Sequence, residues 1–341
     1  MKKIGITTTV PTEVLMAAGC QPVDLNNVFI SDADPERLVR IAERDGFPLN
    51  CCSWIKGIYG VCMESDIDTV MCVTTGDCSN TLMLMEVLRL KGFKTIPFAY
   101  PEQPEAGQTR QALKKLAATL GTDLAAAEKI KKELEPSRRL IHELDELTWR
   151  EGVVSGFENH LWLVSASDFN GDYQQYCTQV QDLIGECRQR TPYPQDMLRI
   201  AYTGVPSVYG RELYNFLEEN GARVVFNEIQ RQFSMPQPGN SLAEQYTSYT
   251  YPYSINQRID DIATEVEQRR VDGIIHYVQA FCHRGIGDII FRSALNLPIL
   301  TLEGNDDFCL NQHIRTRLEA FSDMLRRNPK RMIYNKQATG Q

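Results

Sequence analysis

The chain alternates short apolar runs with longer amphipathic segments, which is the pattern of an α/β protein. Within the first hundred residues, β-rich runs predict strands at residues 4–8, 68–75 and 95–99. Residues 68–75 are centred on four consecutive apolar residues at 70–73, as is typical of a parallel strand that is buried on both faces. Helical periodicity predicts helices at residues 11–19, 35–45 and 79–91. We interpret residues 1–104 as an N-terminal α/β lobe.

The middle of the chain has a different composition. Residues 101–110 contain two prolines and a glycine, and they predict a linker. The sequence from there to about residue 151 is rich in Ala, Leu, Lys and Glu, and it predicts long amphipathic helices that Pro136 interrupts. Residues 173–189 predict one more helix. We therefore assign residues 105–195 to a helical connector.

The α/β pattern returns in the last third of the chain. Strands are predicted at residues 198–204, 223–227, 273–278 and 299–302, and helices at residues 209–220, 257–269, 285–295 and 312–326. Residues 232–254 are rich in Tyr, Pro and Gln, and they predict an irregular segment. We interpret residues 196–341 as a C-terminal α/β lobe. The predicted fold class is α/β, with two Rossmann-like lobes that each hold a parallel sheet and a helical connector between them.

Composition excludes several classes of protein. Of the 341 residues, 43% are hydrophobic and 23% are charged, which is ordinary for a globular protein and excludes a disordered chain. No apolar run approaches the roughly 18 residues that a membrane helix needs. The net charge of −8 argues against a nucleic-acid-binding surface. The first residues hold no apolar run of signal-peptide length, so we expect a cytoplasmic protein without a membrane partner.

The cysteine content is the unusual feature of the composition. The ten cysteines are Cys20, Cys51, Cys52, Cys62, Cys72, Cys78, Cys177, Cys187, Cys282 and Cys309. In a reducing cytoplasm they stay thiols, and a chain of this length builds its core without disulfides. The cysteines are therefore buried packing residues, metal ligands or a nucleophile.

Three cysteines stand where ligands collect in α/β proteins. Cys78 and Cys282 each follow a predicted strand and precede a predicted helix, and open parallel sheets bind ligands outside the carboxyl ends of their strands. Cys52 opens the helical segment before residues 68–75. A helix N-terminus stabilises a thiolate or an anionic iron–sulfur cluster, so we expect the three to converge on a cleft between the lobes. Packing roles are assigned to the cysteines inside predicted strands and helices, namely Cys72, Cys177 and Cys187.

Other catalytic signatures are absent from the sequence. It contains no G-x-x-x-x-G-K-[ST] phosphate-binding loop, no G-x-G-x-x-G after the first strand, no H-E-x-x-H and no G-x-S-x-G. Asp306 and Asp307, at the end of the last strand, are candidate acid–base groups, although a capping or loop role is more common for such residues. His283 neighbours Cys282 and is interpreted as a cleft residue rather than a ligand.

Six segments form an ordered series along the chain. They are residues 10–25 (VPTEVLMAAGCQPVDL), 52–60 (CSWIKGIYG), 74–81 (TTGDCSNT), 276–288 (HYVQAFCHRGIGD), 297–306 (LPILTLEGND) and 312–321 (QHIRTRLEAF). The first resembles the opening motif of the 2-hydroxyacyl-CoA dehydratase and benzoyl-CoA reductase family. The next three resemble the cysteine motifs of that family, and the last two resemble its C-terminal signature.

The resemblance implies two Rossmann-like lobes with an iron–sulfur cluster in the cleft between them. It implies that Cys52, Cys78 and Cys282 bind a [4Fe–4S] cluster with one iron open to water or substrate. It further implies a separate ATP-dependent iron–sulfur activator protein, which delivers a low-potential electron for radical dehydration or reduction of an acyl-CoA or another small molecule. Such proteins are homodimers, or heterodimers with a homologous subunit.

Four further cysteines leave room for related hypotheses. Cys20, Cys51, Cys62 and Cys309 are additional to the three ligand positions. The double-cubane-cluster reductases, which the chain also resembles, hold an [8Fe–9S] double cubane that needs about six thiolates. We favour a single cubane because Cys20 follows the end of a predicted helix, where the dipole disfavours a thiolate. Two more hypotheses are a non-catalytic paralogue that carries a cluster and an α/β binding protein with buried cysteines.

Overall fold

Two parallel β-sheets form the framework of the protein. The computed structural model describes residues 1–304 and 307–327. In this part of the chain, the first sheet consists of β1 (Lys2–Ile6), β2 (Cys20–Asp24), β3 (Thr69–Thr75) and β4 (Lys94–Ala99). The second sheet consists of β5 (Leu198–Gly204), β6 (Ala222–Asn227), β7 (Gly273–Gln279) and β8 (Ile299–Gly304). The predicted α/β class with two parallel sheets is confirmed.

The two sheets share one topology. Their strand orders are β2-β1-β3-β4 and β6-β5-β7-β8, and all neighbouring strands are parallel. In each sheet the chain begins at an inner strand, moves to one edge and then returns to the other side of the first strand. This is the flavodoxin-type doubly wound order, in which the direction of winding reverses between β1 and β3, and between β5 and β7.

Helices cover the sheets and connect them. The helices of the first lobe are α1 (Thr12–Ala17), α2 (Leu25–Ile30), α3 (Pro35–Arg44), α4 (Ser53–Glu64) and α5 (Asn80–Leu90). The connector contains α6 (Ala106–Thr119), α7 (Leu124–Glu146), α8 (Gly156–Val164) and α9 (Tyr173–Cys187). The rest are α10 (Arg211–Glu219), α11 (Glu228–Phe233), α12 (Leu242–Ser248), α13 (Ile255–Gln268), α14 (Asp288–Ala294) and α15 (Gln312–Arg326). None of the described helices has the length and apolar character needed to cross a membrane.

The central strand of the first sheet is buried on both faces. Met71 and Val73 of β3 belong to one hydrophobic cluster, whereas Val70 and Cys72 point to the opposite face and belong to another. All four side chains are fully buried. This double burial is the physical reason for the unbroken apolar run that predicts the strand.

Two elements of the first lobe escape prediction from the sequence. Strand β2 (Cys20–Asp24) alternates between buried and half-buried positions and includes Pro22, which a strand tolerates at the edge of a sheet. Helix α2 begins directly after it, and the Asp24 carboxylate caps it by accepting a hydrogen bond from the backbone N–H of Asn26. Cys20 follows the end of α1, as the sequence predicts, and is also the first residue of this strand.

The connector is more regular than its sequence predicts. Helix α6 begins at Ala106, inside the predicted linker of residues 101–110. Pro136 lies within α7 and does not interrupt it. A proline removes one backbone hydrogen bond, but Leu134 and Ile141 on either side are fully buried, so tertiary packing holds the helix together.

A segment of the second half of the chain packs on the first lobe. We call residues 228–253, which include α11 and α12, the strap. Its Tyr246, Tyr249 and Tyr251 belong to the same buried cluster as Val14 and Met71. The prediction of an irregular segment at residues 232–254 is wrong for α12. The apolar side chains of this helix pack on the first lobe, which is distant in the sequence.

A buried carboxylate joins three parts of the chain. Glu13 of α1 accepts hydrogen bonds from Arg138 Nη2 of α7 at 2.6 Å, and from Gln245 Nε2 and the Tyr246 hydroxyl of the strap at 2.7 Å each. Burial alone raises the pKa of Glu13, but Arg138 and these hydrogen bonds together lower it. The first lobe, the connector and the strap therefore form one packed unit.

Candidate functional site

A cavity of about 500 Å³ lies at the carboxyl ends of the inner strands of both sheets. The residues that end or follow β1, β3, β5 and β7 and line the cavity are Thr7, Thr8, Asp77, Cys78, Val205, Pro206, Ser207, Gln279 and Cys282. These four strands flank the two positions where the winding reverses. The cavity is therefore the crevice in which doubly wound sheets bind their ligands.

Three cysteines meet in this cavity. Cys52 and Cys78 from the first lobe and Cys282 from the second line it. All ten cysteines lie in the described residues, and none of the other seven is part of the lining. The structure thus brings together the three residues that the sequence singles out, while their role as ligands stays a prediction.

Cys52 stands at the N-terminus of α4, where it is the N-cap residue. Burial raises the pKa of its thiol to about 12, and the backbone N–H groups of Trp54 and Ile55 partly oppose the rise. The neighbouring Cys78 and Cys282 raise this pKa further, because thiolates that share a cavity repel one another. The thiol stays protonated at neutral pH unless a cation binds beside it.

Cys78 lies just before the N-terminus of α5. The backbone N–H of Thr81 donates to the Cys78 carbonyl at 3.1 Å and closes the first turn. Burial raises the pKa of the Cys78 thiol to about 12, and the Asp77 carboxylate adds to the rise. The backbone N–H groups of Asn80 and Thr81 lower it, as expected at the start of a helix.

Cys282 lies in the tight turn that follows β7. Its backbone N–H donates to the Gln279 carbonyl at 3.0 Å. Phe281, inside the turn, has φ of 62°, a left-handed conformation that costs a residue other than glycine about 1 kcal/mol. The turn leaves the Phe281 ring 67% exposed and brings Cys282 to the cavity. Backbone strain of this kind is concentrated at binding sites.

Buried side chains join the cysteine-bearing loops to one another and to the strap. Gln279 Nε2 donates to the Ser53 hydroxyl at 2.6 Å, and both side chains are buried. On another side, the Tyr251 hydroxyl donates to Asp77 Oδ1 at 2.9 Å, and the Arg284 guanidinium lies 4.2 Å from the Tyr251 ring centre. Each tie involves a residue within three positions of one of the cysteines, so these contacts help to hold the cysteine-bearing loops in place.

The polar wall of the cavity includes carboxylates that sequence reasoning missed. Asp24, at the carboxyl end of β2, lines the cavity, and its backbone N–H donates to Asp168 Oδ2 at 2.8 Å. Burial raises the pKa of Asp168 to about 7, and the nearby Asp24 adds to the rise. Asp24 could have been found from the sequence if strand β2 had been predicted, because Asp24 would then have stood at the carboxyl end of a strand.

Two basic side chains line the wall formed by α8 and α10. His160 Nδ1 accepts a hydrogen bond from Gln230 Nε2 at 3.0 Å. Burial lowers the pKa of His160 to about 4, so the ring is neutral at physiological pH. Arg211 is exposed, and its guanidinium lies 4.4 Å from the ring centre of Phe157. Neither residue belongs to a sequence motif that would have revealed it.

The donor set fits an iron–sulfur cluster better than a single metal ion. Within residues 1–304 and 307–327, no three His, Cys, Asp or Glu side chains converge closely enough to hold one ion. In a cluster each thiolate binds a different iron, so its ligands stand farther apart than those of a tetrahedral zinc site. Trp54 Nε1 and Thr81 Oγ1, on two lining residues, are also buried without an acceptor. Cluster sulfur atoms accept such hydrogen bonds.

The remaining candidates have other places in the structure. His283 lines the cavity, as a cleft residue would. Asp307 is exposed and accepts a hydrogen bond from Asn311 Nδ2 at 3.4 Å, which agrees with a loop role. Asp306 lies outside the described residues.

The additional cysteines lie away from the cavity lining. Cys20 and Cys62 are buried in two separate hydrophobic clusters of the first lobe. Cys51 is half-buried, although it is the chain neighbour of Cys52, and Cys309 is exposed. Their positions provide no second set of thiolates around the cavity.

One of three comparisons with known proteins identifies a family whose model matches most of the chain. A family model described as 2-hydroxyglutaryl-CoA dehydratase, D-component, matches residues 7–325, which confirms the resemblance seen in six segments. A search of curated proteins finds no match. Among solved structures, the chain is similar to the SBP FpvC from Pseudomonas aeruginosa in complex with Mn2+, at 14% identity over 96% of this chain and 98% of that chain. The TM-score of 0.21 is too low for this likeness to support an argument.

Proposed function

The chain belongs to the family of the 2-hydroxyglutaryl-CoA dehydratase D-component, and we propose that it is an iron–sulfur subunit that dehydrates or reduces a 2-hydroxyacyl-CoA or a related small molecule. Family membership supports the coarser statement, a subunit of the 2-hydroxyacyl-CoA dehydratase type. The observation that carries the finer proposal is the meeting of Cys52, Cys78 and Cys282 in one cavity at the carboxyl ends of both sheets.

In the proposed site, the thiolates of Cys52, Cys78 and Cys282 hold a [4Fe–4S] cluster. When bound, such a cluster supplies a low-potential electron and one open iron that polarises a substrate oxygen. Burial raises the pKa of the Cys52 and Cys78 thiols to about 12, so each would have to give up a proton in order to hold iron as a thiolate. The N–H groups at the starts of α4 and α5 then stabilise the thiolate charge.

The rest of the cavity wall supports binding of a small polar substrate. A volume of about 500 Å³ lies within the range of small-molecule sites. We assign the acyl end of the substrate to this cavity, where neutral His160 offers a hydrogen bond. The exposed guanidinium of Arg211 offers a positive charge to the phosphate groups of a thioester that extends to solvent.

A protein partner is part of the proposal. The sequence holds no phosphate-binding loop, so we propose that an ATP-dependent iron–sulfur activator delivers the electron. An apolar surface next to Cys282 supports docking of a protein: Phe281, Ile286 and Ile289 are 67%, 73% and 71% exposed. Contiguous exposed apolar side chains mark interaction surfaces. We further propose that the chain acts in a dimer, with a second copy or with a homologous subunit.

The lining of the cavity favours a single cubane over a double one. An [8Fe–9S] double cubane needs about six thiolates around one site. Three cysteines line the cavity, and the four additional ones lie in separate hydrophobic clusters or on the surface. The proposal therefore assigns one [4Fe–4S] cluster to each chain.

Iron and sulfide analysis of protein made without oxygen tests this assignment. About four iron atoms per chain support a single cubane, and about eight replace it with the double cubane. Protein without iron refutes the proposal. The same preparation, mixed with an activator of this family and ATP, is expected to dehydrate a 2-hydroxyacyl-CoA. Repeated turnover with NADH alone contradicts the part of the proposal that requires an activator.

A further inference from the structure

Two buried hydrogen-bond donors beside the cysteines have no acceptor. The hydroxyl of Thr81 and the indole N–H of Trp54 are buried and unpaired within the part of the chain that the structure describes. Both residues line the cavity. Trp54 stands two positions after Cys52, in the first turn of α4, and Thr81 stands three positions after Cys78, in the first turn of α5. The same arrangement thus occurs at two of the three cysteines.

We infer that Thr81 and Trp54 donate hydrogen bonds to sulfur atoms of the cluster that Cys52 and Cys78 hold, and that these bonds raise its reduction potential. The inference rests on the proposed function and adds two residues that bind no iron themselves. Both act through the cluster, so they are positioning residues rather than catalytic ones.

The place of Thr81 in its helix explains why its hydroxyl is free to donate. Inside a helix, a threonine hydroxyl commonly bonds to the carbonyl one turn earlier, as Thr148 does with Leu144 O at 2.9 Å. Thr81 is the second residue of α5, so no carbonyl of its own helix stands one turn before it. Its backbone N–H donates to the Cys78 carbonyl at 3.1 Å, and both residues line the cavity, so Thr81 lies next to the residue that carries the sulfur.

Trp54 is held in place by its ring. The indole packs edge-on against Phe29, with ring centres 5.4 Å apart and an angle of 80° between the planes. A buried indole N–H normally finds a partner, and it can only donate. Trp54 stands two positions after Cys52 and lines the same cavity, so this residue also lies next to a cysteine.

Donors aimed at cluster sulfur change the energy of reduction. An added electron makes the cluster more negative, and a hydrogen bond to its sulfur stabilises the more negative state more strongly. Removal of either donor therefore shifts the reduction potential to more negative values. Iron content is not expected to change, because the three thiolates remain.

The experiment compares Thr81→Val with Thr81→Ser. Valine keeps the shape of threonine and removes the donor, whereas serine keeps the hydroxyl. A redox titration of the iron-loaded protein, followed by electron paramagnetic resonance, is expected to show a negative shift for Thr81→Val and a potential near the original one for Thr81→Ser. Trp54→Phe is expected to shift the potential in the same direction. Thr148→Val removes a buried hydroxyl outside the cavity lining and is expected to leave the potential unchanged.

The outcomes separate this inference from the proposed function. If Thr81→Val and Trp54→Phe keep full iron and the original potential, the inference is wrong and the proposed function stands. If the unaltered protein binds no iron, the proposed function fails and the inference fails with it. Should Thr81→Val not fold, Trp54→Phe applies the same test alone, and an unchanged potential in that variant overturns the inference.

Discussion

The two lobes share a sheet topology but contribute differently to the cavity. In each lobe a cysteine follows the inner strand beyond the switch point, Cys78 after β3 and Cys282 after β7. The first lobe adds Cys52 at the start of the helix that precedes β3. The corresponding helix of the second lobe, α13, has Ser254 as its N-cap. The repeated topology thus brings two switch points to one cavity, and the loops decide which side chains each lobe contributes to it.

The edge strands show a second difference between the lobes. Strand β2 ends in Asp24, which lies beside the buried carboxylate of Asp168. Strand β6 ends in Asn227, whose amide accepts from the Tyr214 hydroxyl at 2.8 Å and donates to Asn159 Oδ1 at 2.8 Å. The edge of the first sheet therefore has two carboxyl groups, one of them from the connector, where the edge of the second sheet has hydrogen-bonded amides.

The largest expected effect concerns the cysteines of both lobes. Cys52→Ala, Cys78→Ala and Cys282→Ala are each expected to lose most of the iron, because the proposed cluster needs all three ligands. Iron and sulfide analysis of protein made without oxygen measures this loss. Cys72→Ala and Cys187→Ala, which change buried cysteines outside the cavity lining, are expected to retain the iron. Full iron in Cys282→Ala would show that the second lobe provides no ligand.

The next largest effect concerns the joint between the first lobe and the strap. Glu13→Gln leaves the buried guanidinium of Arg138 without its carboxylate, so we expect the free energy of unfolding to fall by about 3–5 kcal/mol. Urea denaturation measures the loss. Asp66→Asn breaks the exposed pair with Lys3 and is expected to change stability little. A similar stability for Glu13→Gln and Asp66→Asn would mean that the joint does not hold the lobes together.

This joint also has a predictable dependence on pH. Burial raises the pKa of Glu13, but Arg138 and the hydrogen bonds together lower it by more than burial raises it. The pKa of Glu13 in the folded protein therefore lies below the ordinary value. The folded state then releases the proton more readily than the unfolded chain. Its stabilising contribution is present above the ordinary glutamate pKa and is lost as the pH falls through the lowered one.

We expect Asp168, which lies beside Asp24 of the first lobe, to give stability the opposite dependence on pH. Its folded pKa of about 7 exceeds the ordinary value of about 3.9, so the folded state keeps a proton that the unfolded chain releases. The stability that this proton provides is present below about pH 4 and is lost as the pH rises to about 7. Asp168→Asn is expected to remove this part of the pH dependence, in urea midpoints measured from pH 4 to 8. Asp172→Asn, at an exposed helix cap, is the control and is expected to keep it.

The smallest effect concerns the tie between the lobes beside Cys52. Gln279→Leu and Ser53→Ala each remove one partner of a buried hydrogen bond, and each is expected to cost about 1–3 kcal/mol of stability. The double variant is expected to cost less than the sum of the two, because both changes remove the same bond. Additive costs in urea denaturation would show that the tie does not couple the lobes.

Local pattern was sufficient for the elements that touch the cysteines. Most residues of strands β3 and β7 are apolar and buried, and a predicted helix follows each strand, so the places of Cys78 and Cys282 at strand ends were predictable. The start of α4 at Cys52 was predictable for the same reason. These features depend on backbone geometry and burial, which the period of apolar residues encodes directly.

Only the tertiary structure decided the features that depend on distant partners. The edge strand β2 has too few apolar residues to predict it, and Pro136 remains inside α7 because buried neighbours hold the helix. The apolar residues of the strap show no helical or strand periodicity, because its tyrosines pack against the first lobe. The meeting of two lobes at one cavity, the Gln279–Ser53 bond and the unpaired donor of Thr81 likewise follow from packing between segments far apart in the chain. The sequence by itself determined which residues end strands and begin helices. The tertiary fold decided which of these residues lie opposite one another in the cavity, because contacts between distant segments depend on long-range packing that no local pattern records.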